Sequence, residues 1–263
     1  LRNRIFLLHL ESFGWKPLIL TVNPCFMEEP EDPAFEKMIP KDLEVIRSDA
    51  IPYQWTRKLF FGSLGLRSFW HLYAKAKAFV IEKKIDLIFI SSPPWYIFLI
   101  GSLLKKKYGV KLVIDYIYPW VCEEDKRAVF FSKRFWTGKL AGRLDSIAIQ
   151  SADAVISVSD GINQTLRKLY PTQARKITTA IPYGIEPKDF EFAKDHPEKI
   201  PYFDPEDGFC HIVYLGVVWK EVLPTLEALF AAISNVKRRK PDEFKRLRWH
   251  FLGTSYALNA PRQ

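Results

Sequence analysis

Residues 85–120, reading IDLIFISSPPWYIFLIGSLLKKKYGVKLVIDYIYPW, constrain the fold more than any other part of the chain. Residues 85–91 form an apolar run rich in Ile, broken only by Asp86 before its end at Ser91, the pattern of a strand buried on both faces of a parallel sheet. Ser91, Ser92, Pro93 and Pro94 end that run. Residues 95–107 suit a helix, stopped at Tyr108 and Gly109, and residues 110–114 form a second apolar β run ended by Asp115. Strand, helix and strand at this spacing predict a right-handed βαβ unit with both strands in one sheet. Parallel sheets bind ligands at the carboxyl ends of their strands, where SSPP and DYIYPW lie.

The remaining chain continues the alternation. A helical pattern holding Arg4, Ile5, Leu8 and Ser12 stops at Gly14, and a strand follows at Leu18–Val22. Residues 25–50 read as a long connection with one short strand at 43–46. Residues 51–66 read as a loop over a surface, and 69–80 as an amphipathic helix. Beyond the βαβ unit come a helix over 140–150 with Leu144, Ile147 and Ala148 inward, a strand at 154–158, a helix capped by Ser159, and a strand at 176–181. Residues 186–208, with four prolines and many charges, are the linker candidate. A new strand starts at His211, a helix follows with Val222, Leu226, Leu229, Phe230 and Ile233 inward, and a strand closes at 249–252. The reading is therefore α/β with two domains, 1–205 and 206–263. The chain opens without methionine, leader or preceding strand and stops soon after a strand, so it reads as a fragment with an incomplete second domain.

Charge and cysteine usage narrow the classes. The formal net charge is +9. An anionic membrane surface, a phosphorylated substrate or nucleic acid would each accommodate it, but acids are interspersed with the bases, which disfavours a nucleic-acid stripe. Cys25, Cys122 and Cys210 are too far apart for a zinc site, and their odd number gives no disulfide framework. The five histidines form no metal spacing. A cytoplasmic protein is expected, with a peripheral position at the inner membrane face as an option.

Several segments, taken in order, resemble glycosyltransferase family 4. Ser91-Ser92-Pro93-Pro94 matches an S-S-P-P after one strand. Asp115-Tyr116-Ile117-Tyr118-Pro119-Trp120 is similar to D-F-R-D-P-W after the next. Ala152-Asp153-Ala154-Val155-Ile156-Ser157-Val158-Ser159-Asp160-Gly161 fits A-D-x-V-I-x-V-S-x-G. Residues 181–190 resemble I-P-N-G-[IV]-D-x-x-x-F, with Tyr183 and Glu186 in place of Asn and Asp. Tyr214-Leu215-Gly216 and Gly253-Thr254-Ser255-Tyr256 resemble the strand ends of the family's donor domain.

The resemblance implies a GT-B-like fold: two Rossmann-like parallel-sheet domains, the first binding the acceptor and the second a nucleotide sugar. In that register the chain lacks the opening strand and most of the donor domain. It implies metal-independent, retaining transfer of a sugar to a glycan or lipid-linked saccharide, as in polysaccharide biosynthesis. The nucleotide sugar is a substrate, and no cofactor is expected.

Site candidates follow. Asp115 is the catalytic candidate, as a base or orienting carboxylate, with a structural anchor as the other reading. Pro94, Trp95, Tyr116, Tyr118 and Trp120 are candidates for acceptor binding, since aromatic rings with polar edges suit sugars. Pro93 and Pro94 are equally a plain strand stop or a rigid lip. Gly216, Lys220, Gly253, Thr254 and Tyr256 are candidates for donor binding. Gly216 would let the backbone approach a diphosphate. Ser159 and Gly161 read as a helix cap whose free N–H groups also suit a phosphate. Ile117 and Tyr118 stand where the family writes Arg-Asp, so a noncatalytic or partner-dependent GT-B protein is the alternative. A third option is an epimerase or dehydrogenase, but no G-x-G-x-x-G is present. Basic residues at Lys105, Lys106, Lys107, Lys133 and Arg134 are candidates for a membrane surface.

Overall fold

A computed structural model describes residues 2–27, 39–40, 43–56, 62–121, 129–195, 202–218 and 222–253. The chain divides into two compact units, Leu1–Phe192 and Ala193–Gln263. The first contains α1 (Arg2–Leu10), β1 (Leu18–Val22), β2 (Glu44–Ser48), α2 (Tyr53–Thr56), α3 (Leu64–Arg67), α4 (Phe69–Glu82), β3 (Leu87–Ser91), α5 (Phe98–Tyr108), β4 (Lys111–Tyr116), α6 (Lys133–Ser151), β5 (Ala154–Ser157), α7 (Asp160–Leu169), β6 (Ile177–Ala180) and most of α8 (Pro187–Asp195). The second contains β7 (Cys210–Leu215), α9 (Leu223–Arg239), α10 (Pro241–Lys245) and β8 (Leu247–Leu252). The fold is α/β with parallel sheets, as the alternating pattern predicts.

In the first unit β1 pairs with β2, and a separate four-stranded sheet has the order β3-β4-β5-β6. Among the described residues these strand pairs are all parallel, with Ser91 opposite Asp115 and Asp115 opposite Ile156. The sequence places Asp115 just beyond its strand. The structure extends β4 through Asp115 and Tyr116, so both are strand residues with neighbours on two sides.

Two apolar clusters hold this unit. Phe98, Leu112, Ile114, Ala148, Ile149, Val155, Leu166 and Ile177 pack the helices onto the four-stranded sheet. Val22, Leu72, Ile100, Leu104 and Val110 fill a second cluster. Each such side chain stabilises the fold by about 1.5–3 kcal/mol when fully buried. α5 approaches the sheet closely at Gly101, where an added Cβ would lie 2.5 Å from Leu112 Cδ1 and 2.9 Å from Ile90 Cδ1.

Four local expectations change. In α6 the buried face is Asp145, Ala148 and Ile149, while Ile147 is exposed. Two tyrosine hydroxyls satisfy Asp145 there, so a carboxylate takes a core position that apolar periodicity assigns elsewhere. The proline- and charge-rich stretch opens as α8, because Pro187 suits a first helical turn and Asp189 pairs with Arg4. The surface loop over 51–66 holds the short helices α2 and α3, residues 57–61 lying outside the described residues. In α9 Phe230 is half exposed and meets Phe251 with its ring.

In the second unit β7 pairs with β8 in parallel, from Cys210 opposite Leu247 to Leu215 opposite Leu252. This pair is a sheet distinct from that of β3 and β4, as expected for a strand beginning near His211.

Candidate active site

The carboxyl ends of β3, β4 and β6 meet around one buried ion pair. Asp115 is fully buried and Arg2 nearly so. Arg2 donates from Nε to Asp115 Oδ2 at 2.8 Å and from Nη2 to Oδ1 at 3.1 Å, a bidentate fork. Its Nη1 donates to the carbonyls of Ile181 at 2.5 Å and Pro182 at 3.2 Å. Ser91 Oγ donates to Asp115 Oδ2 at 2.9 Å. One guanidinium thus ties α1 to β4 and to the chain leaving β6. α1 is held further by Arg4 on Asp189 and by His9 Nε2 at 3.0 Å from Glu186 Oε2.

Above this pair the rim is aromatic. Ser92 fixes the turn: its N–H donates to the Asp115 carbonyl at 2.9 Å, and its Oγ accepts from Ile117 N at 3.1 Å. Trp95 Nε1 donates to the Tyr118 carbonyl at 3.1 Å. The Trp95 ring lies nearly parallel to that of Trp120, 11° apart with centroids at 6.5 Å, and Tyr96 meets Trp120 edge-on at 4.9 Å. Pro94 is wedged against Gly65, where an added Cβ would sit 2.9 Å from Pro94 Cβ. Tyr118 and Tyr183 are both more than half exposed. Burial of its hydroxyl, then the neighbouring Tyr118, pushes the Tyr183 pKa upward, and Arg2 lies 5.6 Å from the Tyr183 ring.

The structure therefore brings Pro94, Trp95, Tyr118 and Trp120 together. Tyr116, expected among them, faces the core instead: it is fully buried, and its hydroxyl donates to Asp145 Oδ1. Tyr170 donates to the other Asp145 oxygen at 2.7 Å. Burial raises the Asp145 pKa to about 6, against the lowering effect of the two hydroxyls, and pushes the Tyr116 and Tyr170 hydroxyls upward. Arg2 and Tyr183 were missed by sequence reasoning. Arg2 lies 113 positions from its partner, beyond any local pattern. Tyr183 carried a signal, since it replaces the Asn of the resembled motif.

Ser159 caps α7, accepting from Ile162 N at 3.3 Å. Beside the rim, Val121, Phe135, Gly138, Lys139, Gly142, Leu169 and Tyr170 line a groove of about 380 Å³. A larger hollow of about 530 Å³ lies at the opposite edge, against the amino ends of β3 and β4. Parallel sheets bind ligands at the carboxyl ends of their strands, away from this hollow.

In the second unit Gly216 and Gly253 end the adjacent strands β7 and β8. Their φ angles are 146° and 72°. Gly216 N donates to Leu252 O at 3.0 Å, and a Cβ on Gly253 would lie 3.8 Å from Gly216 N. Two bare backbone turns thus lie side by side at the carboxyl ends of a parallel pair. Lys220, Thr254 and Tyr256 lie outside the described residues.

A family model described as Glycosyltransferase Family 4 matches residues 8–189, more than half of the chain. No curated protein matches the sequence. Among solved structures the chain is similar to HepE of Anabaena in complex with UDP, with 14% identity and a TM-score of 0.45, covering 92% of this chain and 71% of that one.

Proposed function

Because the chain belongs to glycosyltransferase family 4, we propose that it moves a sugar from a nucleotide-sugar donor to a hydroxyl of a glycan or lipid-linked saccharide. Family membership carries the general activity, glycosyl transfer, and the GT-B type of fold. The donor class, the acceptor and retention of anomeric configuration are the proposal. Its main support is the rim of Pro94, Trp95, Tyr118 and Trp120 at the strand ends. There Trp95 donates to the Tyr118 backbone carbonyl and lies nearly parallel to Trp120, and the exposed Tyr118 ring is an aromatic surface of the kind sugars stack on.

The chemistry is chiefly one of placement. A nucleotide sugar already carries a good leaving group, so the protein must hold the acceptor hydroxyl near the anomeric carbon and stabilise the departing diphosphate. The first unit would hold the acceptor on its rim. In the second, Gly216 and Gly253 would let a diphosphate approach the strand ends without a Cβ in the way, the Gly216 N–H itself being held by Leu252 O. Asp115 is best read as the anchor of the rim. Arg2 and Ser91 occupy its oxygens in the core, so an acceptor hydroxyl would have to displace one of them to reach it. A partner-dependent protein without activity of its own is the competing reading, favoured by Ile117 and Tyr118 where the family writes Arg-Asp.

Incubating the full protein with a panel of nucleotide sugars and saccharide or lipid-linked acceptors, and following nucleoside diphosphate release, separates the two. Acceptor-dependent release from at least one donor is expected. Donor binding with no release under any acceptor would favour the partner-dependent reading.

A further inference from the structure

The turn that leads into β7 is tied to the sheet of the second unit by a chain of titratable side chains. His211 Nε2 lies 2.8 Å from Asp207 Oδ1, and His211 Nδ1 lies 2.9 Å from His250 Nε2. Phe203 covers both imidazoles. Its ring stacks on His211 with centroids at 4.4 Å and planes 12° apart, and it meets His250 at 4.4 Å, tilted by 30°. The His211 side chain is only 8% exposed. Asp207 Oδ1 also accepts from Phe209 N at 2.9 Å, so one carboxylate fixes the turn and the imidazole together.

Strand register explains why the histidines meet. His211 lies opposite Arg248, and Val213 lies opposite His250. Side chains alternate along a strand, so His211 and His250 are diagonal neighbours on one face, which Arg248 shares. Cys210, Tyr214 and Phe251 project to the other face, where Phe251 meets Phe230 of α9. Among the described residues, the charged groups on the histidine face are therefore Asp207 from the turn and Arg248 from β8. Arg248 lies over the Phe209 ring at 3.6 Å and donates to the carbonyls of Lys245 and Leu247. The hydrogen bond from His211, then that from Phe209 N, hold the Asp207 carboxyl below its usual pKa, and Arg248 adds to the effect.

Counting protons sets a limit on this chain. An ionised carboxylate only accepts, so His211 carries a proton on Nε2. Its Nδ1 and His250 Nε2 then face each other with one proton between them, because a hydrogen bond needs one bare nitrogen. The pair thus has room for one imidazolium, with Asp207 as its counter-charge. Charging both rings would set two N–H groups head to head and two like charges side by side on the face that holds Arg248, which breaks the bond between the histidines. We propose that Asp207, His211 and His250 form an acid-sensitive clasp, which holds the turn before β7 while one imidazole is neutral and releases it when both are charged. The clasp is independent of glycosyl transfer, since it uses none of the residues assigned to donor or acceptor.

The sign follows from which form binds the extra proton. The held turn excludes a proton that the released turn takes up, so release grows as pH falls below the ordinary histidine value of about 6.5, by up to about tenfold per pH unit. Hydrogen exchange of the full protein, read by mass spectrometry on peptides spanning residues 202–211 and corrected for the chemical exchange rate, measures the opening constant of the turn. Between about pH 7 and 5 it should rise at least about tenfold, with no such rise in peptides of the first unit. His250→Gln keeps an amide that can donate to His211 but does not titrate, so H250Q should hold the turn and flatten the pH dependence. An opening constant that is level with pH in the wild type, or one that rises equally in H250Q, would overturn the proposal. Nitrogen NMR of the imidazoles gives a second reading on the unmodified protein. The two rings should titrate in two separated steps, and two rings that titrate independently of each other would also overturn it.

Discussion

Arg2 and Asp115 illustrate what a buried charge demands of its neighbours. Removing one partner leaves the other uncompensated inside the core, at about 3–5 kcal/mol. Arg2→Ala would also orphan the Ile181 and Pro182 carbonyls. We expect R2A to lose stability of that order in urea unfolding, and the double variant R2M/D115N to recover most of it. In D115N alone the outcome separates two roles. A folded variant with normal donor affinity and low turnover would return Asp115 to the acceptor, whereas loss of stability with residual turnover marks an anchor. Asp145 gives a pH signature. Its pKa rises from 3.8 to about 6 on folding, chiefly through burial. Between those values the folded protein holds a proton that the unfolded chain has released. Stability from this group is therefore complete below about pH 4, falls as pH rises to about 6, and is flat above. D145N should remove that slope, which is on the order of 3 kcal/mol across the window. Equal pH dependence in wild type and D145N would contradict it.

At the scale of elements, the lip after β3 depends on one small residue in α3. A Cβ at position 65 would meet the Pro94 ring at 2.9 Å, and a proline ring has no rotamer to escape into. Gly65→Ala should therefore displace Pro94 and the Trp95–Tyr118 hydrogen bond, costing about 1–3 kcal/mol. It should raise the acceptor KM more than the donor KM, and equal rises in both would argue against an acceptor lip. What was legible in the sequence follows from the same physics. The strands at Leu18–Val22 and Leu87–Ser91 could be read because strands of a parallel sheet are nearly uniform apolar runs. The rim could be placed because a parallel strand's carboxyl end follows from its direction. The face of α6 could not, since burial of Asp145 depends on hydroxyls from Tyr116 and Tyr170 that only the fold brings together. Burial of Tyr116 was hidden for a related reason: β4 runs two residues past the point where apolar periodicity stops. α8 was obscured by composition, because charges on an exposed helix look like those of a linker.

For the molecule as a whole, the proposed division of labour assigns the acceptor to residues of the first unit and the donor to those of the second. Each unit presents the carboxyl ends of parallel strands, but with different chemistry. One has the aromatic faces of Trp95, Tyr118 and Trp120 over a buried ion pair, and the other has the bare glycine turns of β7 and β8. Aromatic faces suit a sugar and glycine strand ends without a Cβ suit the close approach of a diphosphate, so the two ligands should respond to separate substitutions. Tyr118→Ala removes an exposed ring at a cost of about 1 kcal/mol in acceptor binding, or several-fold in KM, with donor affinity unchanged. Gly216→Ala adds a Cβ at a φ of 146°, a backbone region that L side chains rarely adopt. The resulting strain of about 1–3 kcal/mol should lower the thermal midpoint and weaken nucleoside diphosphate binding about tenfold, sparing the acceptor. Because the two positions share no binding partner in this scheme, their effects on kcat/KM should add to within about 0.5 kcal/mol. Calorimetric titration with a nucleoside diphosphate, at a temperature where G216A is folded, reads the donor side directly. Donor affinity lost in Y118A and retained in G216A would reverse the assignment of ligands to units.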